Sequence, residues 1–467
     1  MFQTFTKQRR SISLKKEFYK QMKSVLIKNA NIVNEGEIVK GDVLVENGRI
    51  AEISETISAK SSETKVIDAD GSYLLPGMID DQVHFREPGL THKANIETES
   101  KAAVAGGITS FIEMPNTVPQ ATTIELLEDK FDIASKTSWA NYSFMFGGTN
   151  DNLDEILKVD PQKVAGLKLF LGSSTGNMLV DDPKTLEEIF SKTNLLISAH
   201  CEDEATIKEN LDKYKSEYGE EIPIELHPKI RSEEACYISS SKAIKLAEKT
   251  GARLHVFHLS TEKETHLFGN KKPLSEKKIT AEVCIHHLWF TDEDYKTKGT
   301  KIKWNPAVKT EKDRDGLLKA LLDDRIDVIA TDHAPHTLDE KNNKYLNAPS
   351  GGPLVQHALV ALLEMYHKGK ISLEKIVEKT AHNPAILFQI KERGYIRKGY
   401  KADLVLVDLN SPWTVKKENL LYKCGWSPFE GTIFKSRVTH TLVNGIVVYE
   451  NSKFPNKSIP ERLTFNR

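Results

Sequence analysis

Side chains able to hold a metal ion recur at the ends of apolar runs along this 467-residue chain. The first run, Leu74-Leu75-Pro76-Gly77-Met78-Ile79, leads into Asp80-Asp81-Gln82-Val83-His84-Phe85-Arg86-Glu87-Pro88-Gly89. A turn-bounded apolar run that ends in alternating polar residues reads as a buried strand. Alternation predicts Asp80, Gln82 and His84 on one face, where a metal would be held. His200 closes the run from Leu195, His258 follows Leu254-His255-Val256-Phe257, and Asp332 closes Val328-Ile329-Ala330-Thr331. One such histidine carries little information. Three imidazoles and a carboxylate at separate strand ends form an N/O donor set suited to a borderline metal such as zinc. Lys168 lies inside Ala165-Gly166-Leu167-Lys168-Leu169-Phe170-Leu171-Gly172. A charged ammonium is costly to bury there, so this lysine must snorkel, be neutral or be chemically changed.

The elements that would position these groups fall into two textures. Short β-type runs separated by turn signals occupy residues 24–73, with Asn47-Gly48 as one hairpin signal. They return at Ala402–Asp408 and around Asn444-Gly445. The middle alternates helical stretches with strand candidates over residues 78–84, 108–114, 142–146, 165–171, 195–200, 253–259, 279–285 and 326–332. Eight βα repeats fit a (β/α)8 barrel with its site at the C-terminal strand ends.

Charge excludes other classes. Lys and Arg number 65 against 66 Asp and Glu, a formal net charge of −1, so no basic field points to nucleic acid. No apolar run approaches the roughly 18 residues of a membrane span. Four dispersed cysteines without a C-x-x-C pair argue for free thiols in a reducing cytosol. Residues 1–22, basic and without an apolar secretory segment, are expected to be a disordered extension or to precede the true start.

The Asp80–Gly89 stretch resembles the D-x-H-x-H…R-E-P-G segment of dihydroorotases, amidohydrolase-type barrels, with Gln82 standing where the first histidine is usual. The likeness extends through Met114-Pro115-Asn116-Thr117 and Thr331-Asp332-His333-Ala334-Pro335-His336, and runs from Val25 to Tyr449. It implies an α/β fold: a barrel over 76–395, a small β-sandwich domain from 23–75 and 396–452, and a tail at 453–467. The implied metal ligands are His84, Lys168, His200, His258 and Asp332, with Gln82 as an uncertain and weaker one. Lys168 would be carboxylated and bridge two zinc ions, the first site weakened by Gln82. Arg86, Asn116 and His336 would hold a substrate carboxylate, for which a guanidinium fork is well shaped, and Asn305 the ring edge. His286, His287 and His333 are expected to be supporting or structural, and the loop Gly172–Asn177 either a lid or an ordinary βα connection.

The activity implied is reversible cyclisation of N-carbamoyl-L-aspartate to L-dihydroorotate in pyrimidine synthesis, using metal-activated water with Asp332 as general acid and base. Alternatives are an allantoinase or hydantoinase, or a non-catalytic scaffold for aspartate carbamoyltransferase. A cytoplasmic homodimer is expected.

Overall fold

The computed structural model describes residues 24–59, 61–172 and 178–467. The expectations for residues 1–22 and for most of the 172–177 loop lie outside the described residues.

Both termini build one mixed sheet. Strands β1 (Val25–Asn34), β2 (Glu37–Glu46), β3 (Arg49–Ser54), β4 (Lys65–Asp68) and β5 (Tyr73–Pro76) join β14 (Leu404–Asp408), β17 (Arg437–Val443) and β18 (Ile446–Glu450). The order is β18-β17-β14-β5-β1-β2-β3, with β4 also paired to β1. Its hairpins turn where the sequence indicates. Asn47 and Gly48 adopt φ of 54° and 76°, Asn444 and Gly445 50° and 78°, the left-handed pair that a two-residue hairpin requires.

The middle of the chain forms eight parallel strands in sequence order: β6 (Met78–Val83), β7 (Ile108–Glu113), β8 (Asn141–Gly147), β9 (Gly166–Phe170), β10 (Ile197–His200), β11 (Leu254–Val256), β12 (Ile279–Cys284) and β13 (Val328–Ala330). The ring closes through a parallel bridge from Val83 to His333, backed by the His84 amide donating to the His333 carbonyl at 2.7 Å. All eight predicted strands are present. They are buried on both faces, as parallel strands covered by helices must be, and rich in apolar residues apart from the polar groups they turn into the barrel. Each fully buried Val, Leu or Ile contributes about 1.5–3 kcal/mol.

Helices start where the sequence supplies a capping oxygen. Thr123, Asp182, Asp203, Ser232 and Thr310 each accept from an amide of the first turn of the helix they open. The last residues are more than a loose tail: Leu463 and Phe465 are buried, and the Leu463 amide donates to Tyr142 O at the start of β8.

The alternation expected in β6 is broken. Its register against β7 slips between Asp80 and Val83. Asp80 therefore turns away from the mouth and accepts from the Thr331 amide at 3.1 Å and its hydroxyl at 2.6 Å, while Gln82 and His84 reach the cavity. A bulge redirects side chains in this way because the extra residue shifts every later one to the opposite face.

Candidate active site

The C-terminal strand ends surround a cavity of about 230 Å³. Its walls include Gln82, His84, Arg86, Asn116, Lys168, His200, His258, Asn305, Asp332 and His336, so every predicted site residue meets there. Three of them, Arg86 (φ 68°), His258 (φ 39°) and Asp332 (φ 46°), hold left-handed backbone conformations that are costly for residues other than glycine. Strain of this kind persists where the surroundings over-determine a working geometry.

Hydrogen bonds behind the cavity set the imidazole tautomers. His84 Nδ1 donates to Asn116 Oδ1 at 2.8 Å, which leaves the Nε2 lone pair facing Asp332 Oδ1 at 3.2 Å. Burial holds His84 below its ordinary pKa, so no proton bridges the two acceptors. His200 Nε2 donates to Glu202 at 2.9 Å, turning Nδ1 toward His258 Nε2 at 3.0 Å. Burial would raise the Glu202 carboxyl, but Arg231 and then His200 pull it down to about 2. The facing acceptors of His84 and Asp332 are an arrangement a cation resolves, and carboxylate-backed histidine, as at His200, is the usual support for one.

Lys168 does not snorkel. It is 1% exposed, its Nζ has no hydrogen-bond partner, and it lies 4.1 Å from the centre of the Phe257 ring. Burial brings its pKa down to about 8. Gln82 lines the cavity, with its Oε1 3.7 Å from Cys284 Sγ.

Arg86 and His336 form another part of the cavity wall. The Lys93 ammonium is 3.0 Å from His336 Nδ1, and the Ser350 carbonyl 3.0 Å from His336 Nε2. An ammonium can only donate and a carbonyl only accept, so the imidazole proton is on Nε2. Arg86 Nη2, 3.0 Å from that nitrogen, therefore meets a second donor. The Ser350 carbonyl takes that His336 proton, so Arg86 is the charged donor of this wall, packed beside a neutral imidazole. Arg86 Nε is tied to Pro335 O at 3.0 Å, which fixes the fork, and burial lowers the guanidinium pKa to about 10. Asn116 borders the cavity, but its carbonyl is spent on His84; Asn305 accepts from Ser350 Oγ at 2.9 Å.

His333 and His287 are structural, as expected. His333 Nε2 lies 2.9 Å from Glu99 and its Nδ1 accepts from the Leu354 amide; His287 Nε2 lies 3.1 Å from Pro306 O. His286 stacks on Trp304. The supporting residues Lys93, Glu202 and Arg231 were not singled out in the sequence. Glu202 alone left a trace there, an acid two residues beyond a strand-end histidine. Trp304 and Trp426, which donate to the Asp332 and His336 carbonyls at 3.3 and 2.8 Å, gave no signal. A separate buried group, Asp81, His255 and Glu282, brings three metal-ligand atoms within 4.8 Å of one another.

A hydrolase barrel with such a mouth defines a class, and the chain belongs to the amidohydrolase family, whose sequence model matches residues 73–448. Within that class its sequence relatives are dihydroorotases. That of Carboxydothermus hydrogenoformans is 38% identical over 435 residues, covering 91% of this chain and 98% of that one. Those of Staphylococcus epidermidis and Pyrococcus abyssi are each 33% identical, over 435 and 432 residues, covering 92% of this chain and 100% and 96% of theirs. Among solved structures, an L-hydantoinase (dihydropyrimidinase) from Arthrobacter aurescens superimposes with a TM-score of 0.89 at 27% identity, covering 95% of this chain and all of that one. A D-hydantoinase from a Thermus species gives 0.82 at 26%, covering 93% and 97%.

Proposed function

We propose that this chain is a dihydroorotase, interconverting N-carbamoyl-L-aspartate and L-dihydroorotate with loss or gain of water in de novo pyrimidine synthesis. The observation that carries this assignment is the buried Arg86 guanidinium on the cavity wall beside His336, which suits a cyclic amide bearing a carboxylate. Hydantoin and allantoin rings lack that group.

His84, His200, His258, Asp332 and Lys168 as its carbamate, with Gln82 as a weak sixth donor, fit two zinc ions. Carbamate formation needs a free amine to attack CO2 and release a proton. A pKa near 8 raises the free-amine fraction at neutral pH on the order of 10²-fold over an ordinary lysine. Bound zinc supplies Lewis acidity to the amide carbonyl and a more acidic water.

The chain's own groups do the rest. Arg86 and His336 anchor the substrate carboxylate, which turns the ring amide toward Asp332. In hydrolysis, Asp332 takes the proton of the attacking water and delivers it to the departing ring nitrogen. In synthesis it removes the proton from the carbamoyl nitrogen as that nitrogen attacks the side-chain carboxyl carbon, and passes it to the carboxyl oxygen that, with a second proton from solvent, leaves as water. Asn305 and Ser350 border the far side and orient the ring.

Among the described residues no helix is long and apolar enough to cross a membrane. A cytoplasmic homodimer belongs to this proposal, and light scattering tests the dimer. A side-by-side assay of dihydroorotate, hydantoin and allantoin tests the activity. Turnover of dihydroorotate is expected, and turnover of the other two alone would overturn the assignment. The scaffold alternative, association with aspartate carbamoyltransferase without catalysis, predicts no turnover of any.

A further inference from the structure

We propose that Asp81, His255 and Glu282 form a second divalent-cation site inside the barrel, distinct from the ligand set at the mouth. The three side chains come from β6, β11 and β12, and none has any solvent exposure. Both oxygens of Asp81, Nε2 of His255 and Oε2 of Glu282 lack a hydrogen-bond partner within hydrogen-bonding geometry. Orphaned buried acceptors are costly, so a group of four at one point calls for a shared positive partner.

Burial opposes a proton on His255, while Asp81 and Glu282 favour one and raise its pKa to about 9, yet that proton fills the role incompletely. His255 Nε2 is 3.4 Å from Asp81 Oδ2 and 3.8 Å from Glu282 Oε2, beyond the roughly 2.7–3.2 Å of an N–H···O bond. One N–H would also leave an uncompensated negative charge and an unused Asp81 oxygen. The same spacings suit an ion. Zinc bonds of about 2.0–2.2 Å place tetrahedral ligand atoms roughly 3.3–3.6 Å apart, so the His255–Asp81 spacing already fits and the His255–Glu282 spacing is a few tenths of an ångström too long. Two carboxylates and a neutral imidazole match a dication in charge.

The tautomer is already set for coordination. Thr280 Oγ1 donates to Leu254 O at 3.3 Å and so accepts from His255 Nδ1, 2.8 Å away, leaving the Nε2 lone pair pointing at the two acids. Glu282 is tied down by its other oxygen, which accepts from the His258 amide at 3.0 Å and from Cys284 Sγ at 3.4 Å. That tie runs to the backbone of a mouth ligand, so an ion here would also stiffen the left-handed turn at His258. An imidazole in the donor set favours zinc or another first-row ion over magnesium or calcium.

Anomalous diffraction at the zinc edge, on crystals of the full chain soaked in zinc chloride and back-soaked in metal-free buffer, tests this. The expected result is a peak about 2.0–2.2 Å from His255 Nε2. In solution, His255→Gln should retain one equivalent of zinc fewer than the parent at equal folded fraction. Peaks at the mouth with none at the triad would overturn the inference and leave the dihydroorotase assignment standing. No peak at either place would overturn this inference and count against the mouth ligand set as well.

Discussion

Replacing Arg86 by methionine should separate recognition of the substrate carboxylate from everything else in the mouth. Arg86 is 7% exposed, lines the cavity, has its Nε held by Pro335 O, and places Nη2 3.0 Å from His336 Nε2. A buried guanidinium supplies two charge-assisted bonds to a carboxylate, each contributing about 1.5–3 kcal/mol. Their loss, about 3–6 kcal/mol together, predicts a fall of about 10²- to 10⁴-fold in kcat/KM for dihydroorotate. Dihydrouracil, the same ring without the carboxylate, serves as a competitive inhibitor whose Ki reports the ring contacts alone. That Ki should stay within about threefold of the parent's, a shift under 1 kcal/mol. A parallel collapse of both constants would mean that Arg86 supports the fold rather than the carboxylate. No change in either would refute the receptor geometry.

Other outcomes follow from the same geometry. Lys93→Met removes the donor that places the His336 proton on Nε2, so KM for dihydroorotate should rise about tenfold with kcat nearly unchanged, measured by steady-state kinetics. Gln82→His supplies an imidazole in place of a neutral amide, and zinc retained after dialysis should rise by up to one equivalent over the parent, counted by atomic emission. Chelator-stripped enzyme reloaded with zinc should regain activity faster with bicarbonate than in CO2-free buffer, because the carbamate proposed on Lys168 has to form from CO2; equal recovery would exclude the carbamate. Glu202 has a folded pKa of about 2 against an ordinary 4.5, so its contribution, about 3 kcal/mol, is complete above pH 4.5 and lost as pH falls toward 2. Glu202→Gln should therefore flatten the acid limb of the urea-stability profile between those values.

The barrel was legible because parallel strands buried on both faces are near-continuous apolar runs, and eight of them lie between two β-rich ends. His84, His200, His258 and Asp332 were legible for a related reason: each sits where such a run stops, which is where a barrel opens. The slip in β6 was not, since nothing in Asp80-Asp81-Gln82 marks the extra residue that sends Asp80 to Thr331. Asp81 meets His255 and Glu282 only because three distant strands converge. Lys93 reaches His336 across 243 residues of sequence, and no local pattern encodes such a pairing. The burial of Lys168 was likewise undecided by sequence, because a strand lysine near a mouth can as well reach out as stay in; the rings of Phe170 and Phe257 enclose it.

Growth of a pyrimidine auxotroph lacking dihydroorotase tests the central claim most directly. The parent chain should restore growth without uracil, and Asp332→Ala, expressed to the same soluble level, should not. Failure of the soluble parent to restore growth, or restoration by Asp332→Ala, would contradict the account.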